Sequence, residues 1–184
     1  MKGWGTQAEW LFKGLVLMGL SEETLTDYLK TNATGNHDTM PLDDYFELFK
    51  WASATLSEQH LGLKISKNCS IGDWGLLGYL THNSATLGDA LYAVARYQTI
   101  LHTGMVWSFD IDNKVCDIRY QVLKPYNEGI RQDIELSMGL AVVNINNELD
   151  EHRLPIRVNF SHSMVGSMED YTEILGDKVY FDQP

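Results

Sequence analysis

Cysteine is scarce in this sequence of 184 residues, which contains only Cys69 and Cys116. The two cysteines lie far apart, and neither belongs to a CxxC motif or to a Cys/His spacing typical of a zinc site. A framework of disulfides and a structural zinc centre are therefore not expected. Two isolated cysteines are typical of thiols in a reducing compartment, so we predict a cytoplasmic protein.

Basic residues are also few in this sequence. The chain has 14 lysines and arginines against 25 aspartates and glutamates, which gives a formal net charge of −11. A surface of that sign repels the phosphate backbone of nucleic acids. We therefore predict that this segment does not bind DNA by itself.

Long apolar runs are missing as well. A helix that crosses a membrane needs about 20 apolar residues. The longest candidate, residues 10–20, is interrupted by Lys13, and no small-residue cleavage site of a signal peptide follows it. No membrane partner is predicted. With 44% hydrophobic residues the chain can bury a core, and its length is that of one domain, residues 1–184.

Motifs of catalysis and cofactor binding are absent from the sequence, which contains no GxSxG, P-loop, HExxH or GxGxxG. The six histidines include no pair four residues apart, so we predict neither a metal nor a cofactor. Ser161 and His162 are adjacent, but the alternation of the preceding residues places His162 at a strand end beside an ordinary loop. The protein is therefore not expected to be an enzyme.

The N-terminal third has the apolar spacing of helices. We predict a first helix over residues 9–18 that Gly19 ends. Ser21 caps a second helix, which runs to Lys30 and is followed by a loop over residues 31–38.

A third helix is predicted after this loop, capped by Asp38 or Thr39, with Pro41 in its first turn. Five residues form its apolar side: Leu42, Tyr45, Phe46, Phe49 and Ala52. Its aromatic residues, together with Trp51, either pack in the core or form a ligand cage. Core packing is the favoured interpretation.

The middle of the chain contains one short alternating segment, residues 62–66, which predicts a strand. Three glycines then recur among large apolar residues: Gly72, Gly75 and Gly78. Their spacing indicates a backbone that passes close to another element. A helix over residues 86–101 follows, in which Thr86 is the N-cap and Asp89 completes a capping box.

Residues 105–111 and 114–122 alternate between apolar and polar, which predicts the two strands of an antiparallel hairpin. With Asp112-Asn113 as a two-residue turn, Ile111 faces Lys114 and three pairs form on one apolar face: Phe109–Cys116, Trp107–Ile118 and Met105–Tyr120. A three-residue loop would instead pair apolar residues with polar ones.

A second long helix is predicted over residues 129–149. Six residues form its apolar stripe: Ile130, Ile134, Met138, Ala141, Ile145 and Leu149. A strand over 156–160, a short helix over 168–175 ended by Gly176, and a last strand over 179–181 complete the chain. We predict an α+β fold with a helical N-terminal third, then a small mixed or antiparallel sheet covered by two long helices.

The stretch GDWGLLGYLTHNSATLGDALYAVARYQ resembles the signature of the N-terminal ligand-binding domain of AraC-type bacterial transcription regulators. The segments MPLDDYFELFKWASATLSEQHLGLKIS and LPIRVNFSHSMVGSMEDYTEILGDKVYFDQP resemble the same family, so the likeness covers about residues 15–184. One departure is Leu175 before Gly176, where the family usually has an aromatic residue.

This resemblance implies a regulatory function. A small-molecule effector would bind the domain, which is expected to form a homodimer, and would alter DNA binding or activation by a helix-turn-helix domain. Members of the family carry that DNA-binding domain after the position of Pro184. The alternative is a stand-alone small-molecule binding protein, such as a lipid or haem carrier. Whether the gene continues past Pro184 into helix-turn-helix patterns distinguishes the two.

An effector site requires an apolar cavity with a few polar groups. We expect it between the helix over 86–101 and the apolar face of the hairpin, closed in part by the helix over 129–149. The residues predicted to contact the effector are Tyr97, His102, Trp107, Arg119 and Tyr120. Arg96 either forms an ion pair at the flank of its helix or contacts the effector, and the ion pair is the favoured interpretation.

Overall fold

Helices form most of the part of the chain that the structure describes. The structure is a computed structural model and describes residues 5–6, 8–34, 40–70, 72, 75–100, 102–112, 115–149 and 156–184. In chain order its elements are β1 (Gly5–Thr6), α1 (Glu9–Leu17), α2 (Glu22–Asn32), β2 (Met40–Pro41), α3 (Leu42–Leu56), α4 (Leu61–Ser66), α5 (Gly75–His82), α6 (Leu87–Tyr97), β3 (Met105–Asp112), β4 (Val115–Val122), α7 (Glu128–Leu149), β5 (Val158–Asn159), α8 (Met168–Leu175) and β6 (Val179–Tyr180). A 3₁₀ turn, Gln98–Ile100, continues α6. No helix in these ranges combines the length and the apolar character that crossing a bilayer requires.

The strands form three separate pairs within the described ranges. β1 pairs with β2 and β3 with β4, both antiparallel, whereas β5 and β6 are parallel. The α+β fold class is confirmed. Of the two alternatives for the sheet, the antiparallel one is confirmed in the hairpin β3–β4. The mixed sheet is not formed, because α7 leads from β4 to a strand that pairs with β6 and not with the hairpin.

The N-terminal helices begin and end close to the predicted positions. Gly19 follows α1 with a φ of +109°, a conformation that glycine adopts without steric cost. The Ser21 Oγ accepts a hydrogen bond from the Thr24 N–H at 3.1 Å and so caps α2.

The start of α3 differs from the prediction. The helix begins at Leu42 after an extended Pro41, so the cap at Asp38 or Thr39 and the place of Pro41 in the first turn are wrong. Residues 35–39 themselves lie outside the described residues. The physical reason is that Pro41 belongs to β2, whose pairing with β1 keeps the chain extended up to the helix. The predicted apolar side of α3 is buried as expected.

The predicted strand over residues 62–66 is wrong, because these residues belong to the helix α4. Five of the six residues of α4 are buried, so the apolar pattern carried no information about period. Gly62 permits a close crossing with α7: a Cβ at this position would lie 1.9 Å from the Gln132 carbonyl oxygen. Its N–H donates to the Gln132 Oε1 at 2.8 Å.

Gly72 and Gly75 do not mark close approaches to other described parts of the chain, so that prediction is wrong at both positions. A Cβ at Gly72 would meet only the Ser70 Oγ, at 3.5 Å, and one at Gly75 would meet no described atom within 4 Å. Gly75 is required for another reason, because its φ of +57° begins α5 in the left-handed region.

The cap of α6 is confirmed, since the Thr86 Oγ1 accepts a hydrogen bond from the Asp89 N–H at 3.1 Å. The helix ends at Tyr97 and gives way to the 3₁₀ turn. Leu101, the predicted end, lies outside the described residues.

The hairpin is confirmed, but its register is shifted by two residues from the prediction. Trp107 pairs with Tyr120 instead of Ile118, and Met105 pairs with Val122. Asp112, a predicted turn residue, pairs with Val115, and Ile111 pairs with Cys116. Residues 113 and 114 lie outside the described residues. Both registers keep the same residues on the same face, so the alternation alone could not separate them.

Helix α7 is buried on more sides than the predicted stripe implies. It packs against α3, α4, α8 and the hairpin. Ile130 is buried, while the other five residues of the stripe are half-buried. Five polar residues of α7 are buried too: Arg131, Gln132, Asp133, Glu135 and Ser137. The helix thus separates an N-terminal apolar core from a smaller one built by β5, α8 and β6.

Candidate functional site

A cavity of about 260 Å³ lies between α6, the hairpin, α7 and the C-terminal end of α5. This is the space for which the sequence predicts an effector site. Val94 and Trp107 are among its buried apolar residues, at 9% and 8% exposed. Most of the remaining lining is apolar as well: Leu87, Ala90, Leu91, Ile118, Leu140, Ala141, Ile145 and Leu149.

Several polar side chains of the lining are bonded within their own segments. The Thr81 Oγ1 donates to the Gly78 carbonyl at 2.9 Å, and the Ser84 Oγ donates to the Leu80 carbonyl at 2.9 Å. The Asn144 Nδ2 donates to the Leu140 carbonyl at 2.7 Å. These contacts satisfy the two hydroxyl donors and one donor of the amide within the protein itself.

Two titratable side chains stand at the mouth of the cavity. The His82 Nδ1 lies 3.6 Å from the Glu148 Oε1, and the side chains are 70% and 57% exposed. Both residues line the cavity, and each is at the C-terminal end of its helix, α5 or α7. The mouth therefore combines one carboxylate with one imidazole.

Of the five predicted effector contacts, only Trp107 lines this cavity. Tyr97 is 38% exposed at the end of α6, with the Arg96 guanidinium 5.5 Å from its ring centroid. Arg119 is exposed on the hairpin, 3.8 Å from the Asp117 carboxylate. Arg96 donates to the Tyr92 Oη at 3.1 Å, and its guanidinium lies over the Tyr92 and Tyr97 rings.

His102 and Tyr120 are turned toward the protein interior. Burial lowers the pKa of His102 to about 4, although a hydrogen bond to the Met105 backbone raises it. His102 is therefore neutral at pH 7. The Tyr120 Oη donates to the Asp133 Oδ2 at 2.6 Å and does not reach the cavity.

Asp133 joins the wall of the cavity to the N-terminal core. It is 2% exposed and accepts hydrogen bonds from Tyr120 and, at 2.9 Å, from the Tyr45 Oη of α3. The Tyr120 ring also contacts Trp107, with centroids 4.7 Å apart. Burial raises the pKa of Asp133 to about 6, although both tyrosine hydrogen bonds lower it.

A second buried polar cluster surrounds Glu135 on the other side of α7. Arg131 and the Tyr171 Oη both donate to the Glu135 carboxylate, the latter at 2.7 Å. The His60 Nδ1 and the His162 Nε2 lie 3.7 Å and 3.8 Å from its oxygens. His162 is thus a buried core residue beyond its strand, with its Nδ1 3.0 Å from the Ser163 carbonyl oxygen. Within the described ranges, no group of three or more histidine, cysteine, aspartate or glutamate side chains has the geometry to hold a metal ion.

No sequence pattern indicated that the polar residues of α7 are buried, since charged and amide side chains in a helix ordinarily face water. His82 and Glu148 were also missed, because their proximity depends on how α5 and α7 cross. Position was a signal for Glu148 alone, which precedes the predicted end of the helix over 129–149.

An apolar cavity with an imidazole and a carboxylate at its mouth is the kind of site that binds small molecules. The chain belongs to the family of arabinose-binding N-terminal domains of AraC transcription regulators, whose profile matches residues 29–184. The family predicted from the sequence motifs is therefore confirmed. The chain is similar to the ornithine utilization regulator of Pseudomonas aeruginosa, with 24% identity over 148 residues. The match covers 77% of this chain and 42% of that regulator, so the chain spans less than half of the relative's length.

Proposed function

We propose that this domain binds a small-molecule effector in the cavity between α6, the hairpin and α7. In the full-length regulator, a cytoplasmic homodimer, effector binding controls DNA binding or activation by a helix-turn-helix domain. The observation that carries this proposal is the cavity itself, which has a mostly apolar lining and is bounded by α6, the hairpin and α7. Membership of a regulatory ligand-binding family supports it.

A regulatory effect requires that the effector bind one arrangement of the domain better than another. A hundredfold shift in the balance corresponds to about 2.7 kcal/mol of differential binding. The contact from Trp107 to Tyr120, and from there through Asp133 to Tyr45, offers a physical connection. A ligand that moves Trp107 would disturb contacts that hold the hairpin against α7 and α3.

The experiment begins with a thermal-shift screen of small metabolites against the domain. The relative is named for ornithine utilization, so amino acids and amines belong in the first set. Any hit is then titrated by calorimetry against the wild type and against Ala90→Trp, which fills the cavity from α6. Ala54→Trp, at an exposed position of α3, is the matched control.

We expect Ala90→Trp to weaken binding at least about tenfold, since an indole would occupy the ligand's volume. Ala54→Trp should leave the affinity unchanged. Tyr97→Phe and His102→Ala should also leave it unchanged, because neither residue lines the cavity. If Ala90→Trp binds the hit as tightly as the wild type does, the ligand lies elsewhere and the proposal is wrong.

A further inference from the structure

The charge at the mouth of the cavity has one sign. Glu148 is the sole acidic residue among the described side chains that line the cavity, and no lysine or arginine is among them. A ligand with a carboxylate or phosphate at this end would face Glu148 without a basic partner in the lining. A ligand with a positive group would find a counter-ion there.

Helix ends add to this negative potential. Glu148 lies in the last turn of α7, which contains no basic residue, and α5 also ends at the mouth, with His82. The C-terminal end of a helix carries a partial negative charge from its unpaired carbonyl groups. The N-terminal end of α6 is nearby, but Thr86 caps it and Asp89 places a carboxylate in its first turn.

The rest of the cavity selects for an apolar body. Its volume of about 260 Å³ is just below the usual range of ligand pockets, which suits a small molecule. Leu91, Val94 and Trp107 line the interior. The Thr81 and Ser84 hydroxyls of the lining donate to backbone carbonyls. A ligand with several polar groups along its length would lose hydrogen bonds to water there.

We propose that the effector is a small organic cation with an apolar body, and that Glu148 is the counter-ion of its ammonium group. This inference rests on the proposed function, since it names the chemical class that the same cavity takes. The His82 Nδ1 lies 3.6 Å from the Glu148 Oε1, so the imidazole stands beside the position that the ammonium group would occupy.

The test uses three probes of one length and shape that differ in charge: n-hexylamine, 1-hexanol and hexanoate. Each is titrated by calorimetry at pH 7 into the wild type, Glu148→Gln, Glu23→Gln and Ala90→Trp. Glu23 is an exposed carboxylate of α2, so its variant changes the net charge equally without touching the cavity. The hexanol titration checks that Glu148→Gln keeps the cavity intact.

The wild type is expected to bind hexylamine more tightly than hexanol, and hexanoate most weakly. Glu148→Gln should weaken hexylamine binding about threefold to fivefold, the effect of an exposed ion pair, and leave hexanol unchanged. Glu23→Gln should change none of the three affinities.

The outcomes separate the two proposals. If hexanoate binds as tightly as hexylamine, or if Glu148→Gln leaves hexylamine binding unchanged, the cation assignment is wrong. If the three probes bind the wild type equally and Ala90→Trp abolishes the binding of all three, the cavity is still the ligand site and only the cation assignment is wrong. Failure of all three to bind the wild type overturns both proposals.

Discussion

Asp133 is a buried carboxylate that accepts hydrogen bonds from two tyrosine hydroxyls, those of Tyr45 and Tyr120. Burial disfavours its charged form, so its pKa rises from 3.8 to about 6 on folding. The folded state therefore retains the proton that the unfolded chain releases near pH 4. The free energy of unfolding consequently falls as the pH rises from about 4 to about 6, by an amount on the order of 3 kcal/mol.

The variant Asp133→Asn tests this pH dependence, because asparagine resembles the protonated acid and does not ionise. We expect the free energy of unfolding of the variant, minus that of the wild type, to rise by about 3 kcal/mol between pH 4 and pH 7. Urea denaturation across this range measures it. A difference that stays constant with pH would contradict the account of Asp133.

The comparison with a variant is necessary because His102 also titrates between about pH 4 and pH 6.5. Its titration changes the free energy of unfolding in the opposite direction. Its folded pKa of about 4 lies below the ordinary value of 6.5, so the unfolded chain binds the proton first as the pH falls. The contribution of His102 to stability is therefore lost as the pH drops from about 6.5 to about 4. Subtracting the free energy of unfolding of the wild type from that of Asp133→Asn removes the contribution of His102, because both proteins contain this residue.

Single residues were predictable where their role is local. The caps Ser21 and Thr86 needed only their own side chain and an N–H three residues later. Asp133 and Glu135 were not predictable, because their partners Tyr45 and Tyr171 come from helices distant in the chain. A buried carboxylate and an exposed one have the same letter in a sequence.

Helix α7 crosses its neighbours at distances that only glycine permits. A Cβ at Gly62 would lie 1.9 Å from the Gln132 carbonyl oxygen, and one at Gly129 would lie 2.0 Å from the Phe46 carbonyl oxygen. We expect Gly62→Ala and Gly129→Ala each to lower the free energy of unfolding by at least about 2 kcal/mol, because backbone must move to admit the methyl group. Urea denaturation midpoints measure the loss.

Gly88→Ala is the matched control for these two variants. Gly88 lies in α6, and a Cβ there would approach only the Thr86 Oγ1, at an ordinary 3.7 Å. Alanine should leave stability unchanged or raise it by up to about 1 kcal/mol, through its higher helix propensity. Equal midpoints for all three variants would mean that the α4–α7 and α3–α7 crossings are looser than described.

Elements were predicted well where one face is buried and the other is exposed. The alternation in β3 and β4 identified both strands and their apolar face, as the pairing of Trp107 with Tyr120 shows. The register was wrong because a two-residue shift preserves every face. The helix α4 was mistaken for a strand because it is buried nearly all round, which removes the periodic signal.

The whole domain carries a formal charge of −11, which opposes contact with DNA phosphates. We expect the 184-residue chain alone to show no sequence-dependent retention of its promoter DNA in a gel-shift titration at moderate salt. The longer regulator of our proposal, tested beside it, should retain the same DNA. Sub-micromolar, sequence-dependent binding by the isolated domain would show that it reads DNA itself.

The position of the cavity was predictable at the scale of the whole molecule, because α6, the hairpin and α7 carry apolar faces that must meet. The residues that line the cavity were not predictable, apart from Trp107. Which residues reach the cavity depends on the rotation of each helix and on the hairpin register. Tyr120, for example, lies on the apolar face of the hairpin but is engaged by Asp133.

The most direct test of the effector-site proposal is a crystal structure of this domain bound to a ligand from the screen. We predict electron density for the ligand between α6, the hairpin and α7, within about 4 Å of Trp107 and Ile118, the distance of apolar contact. A ligand bound at another surface, with the cavity between these elements left empty or closed, would contradict the account.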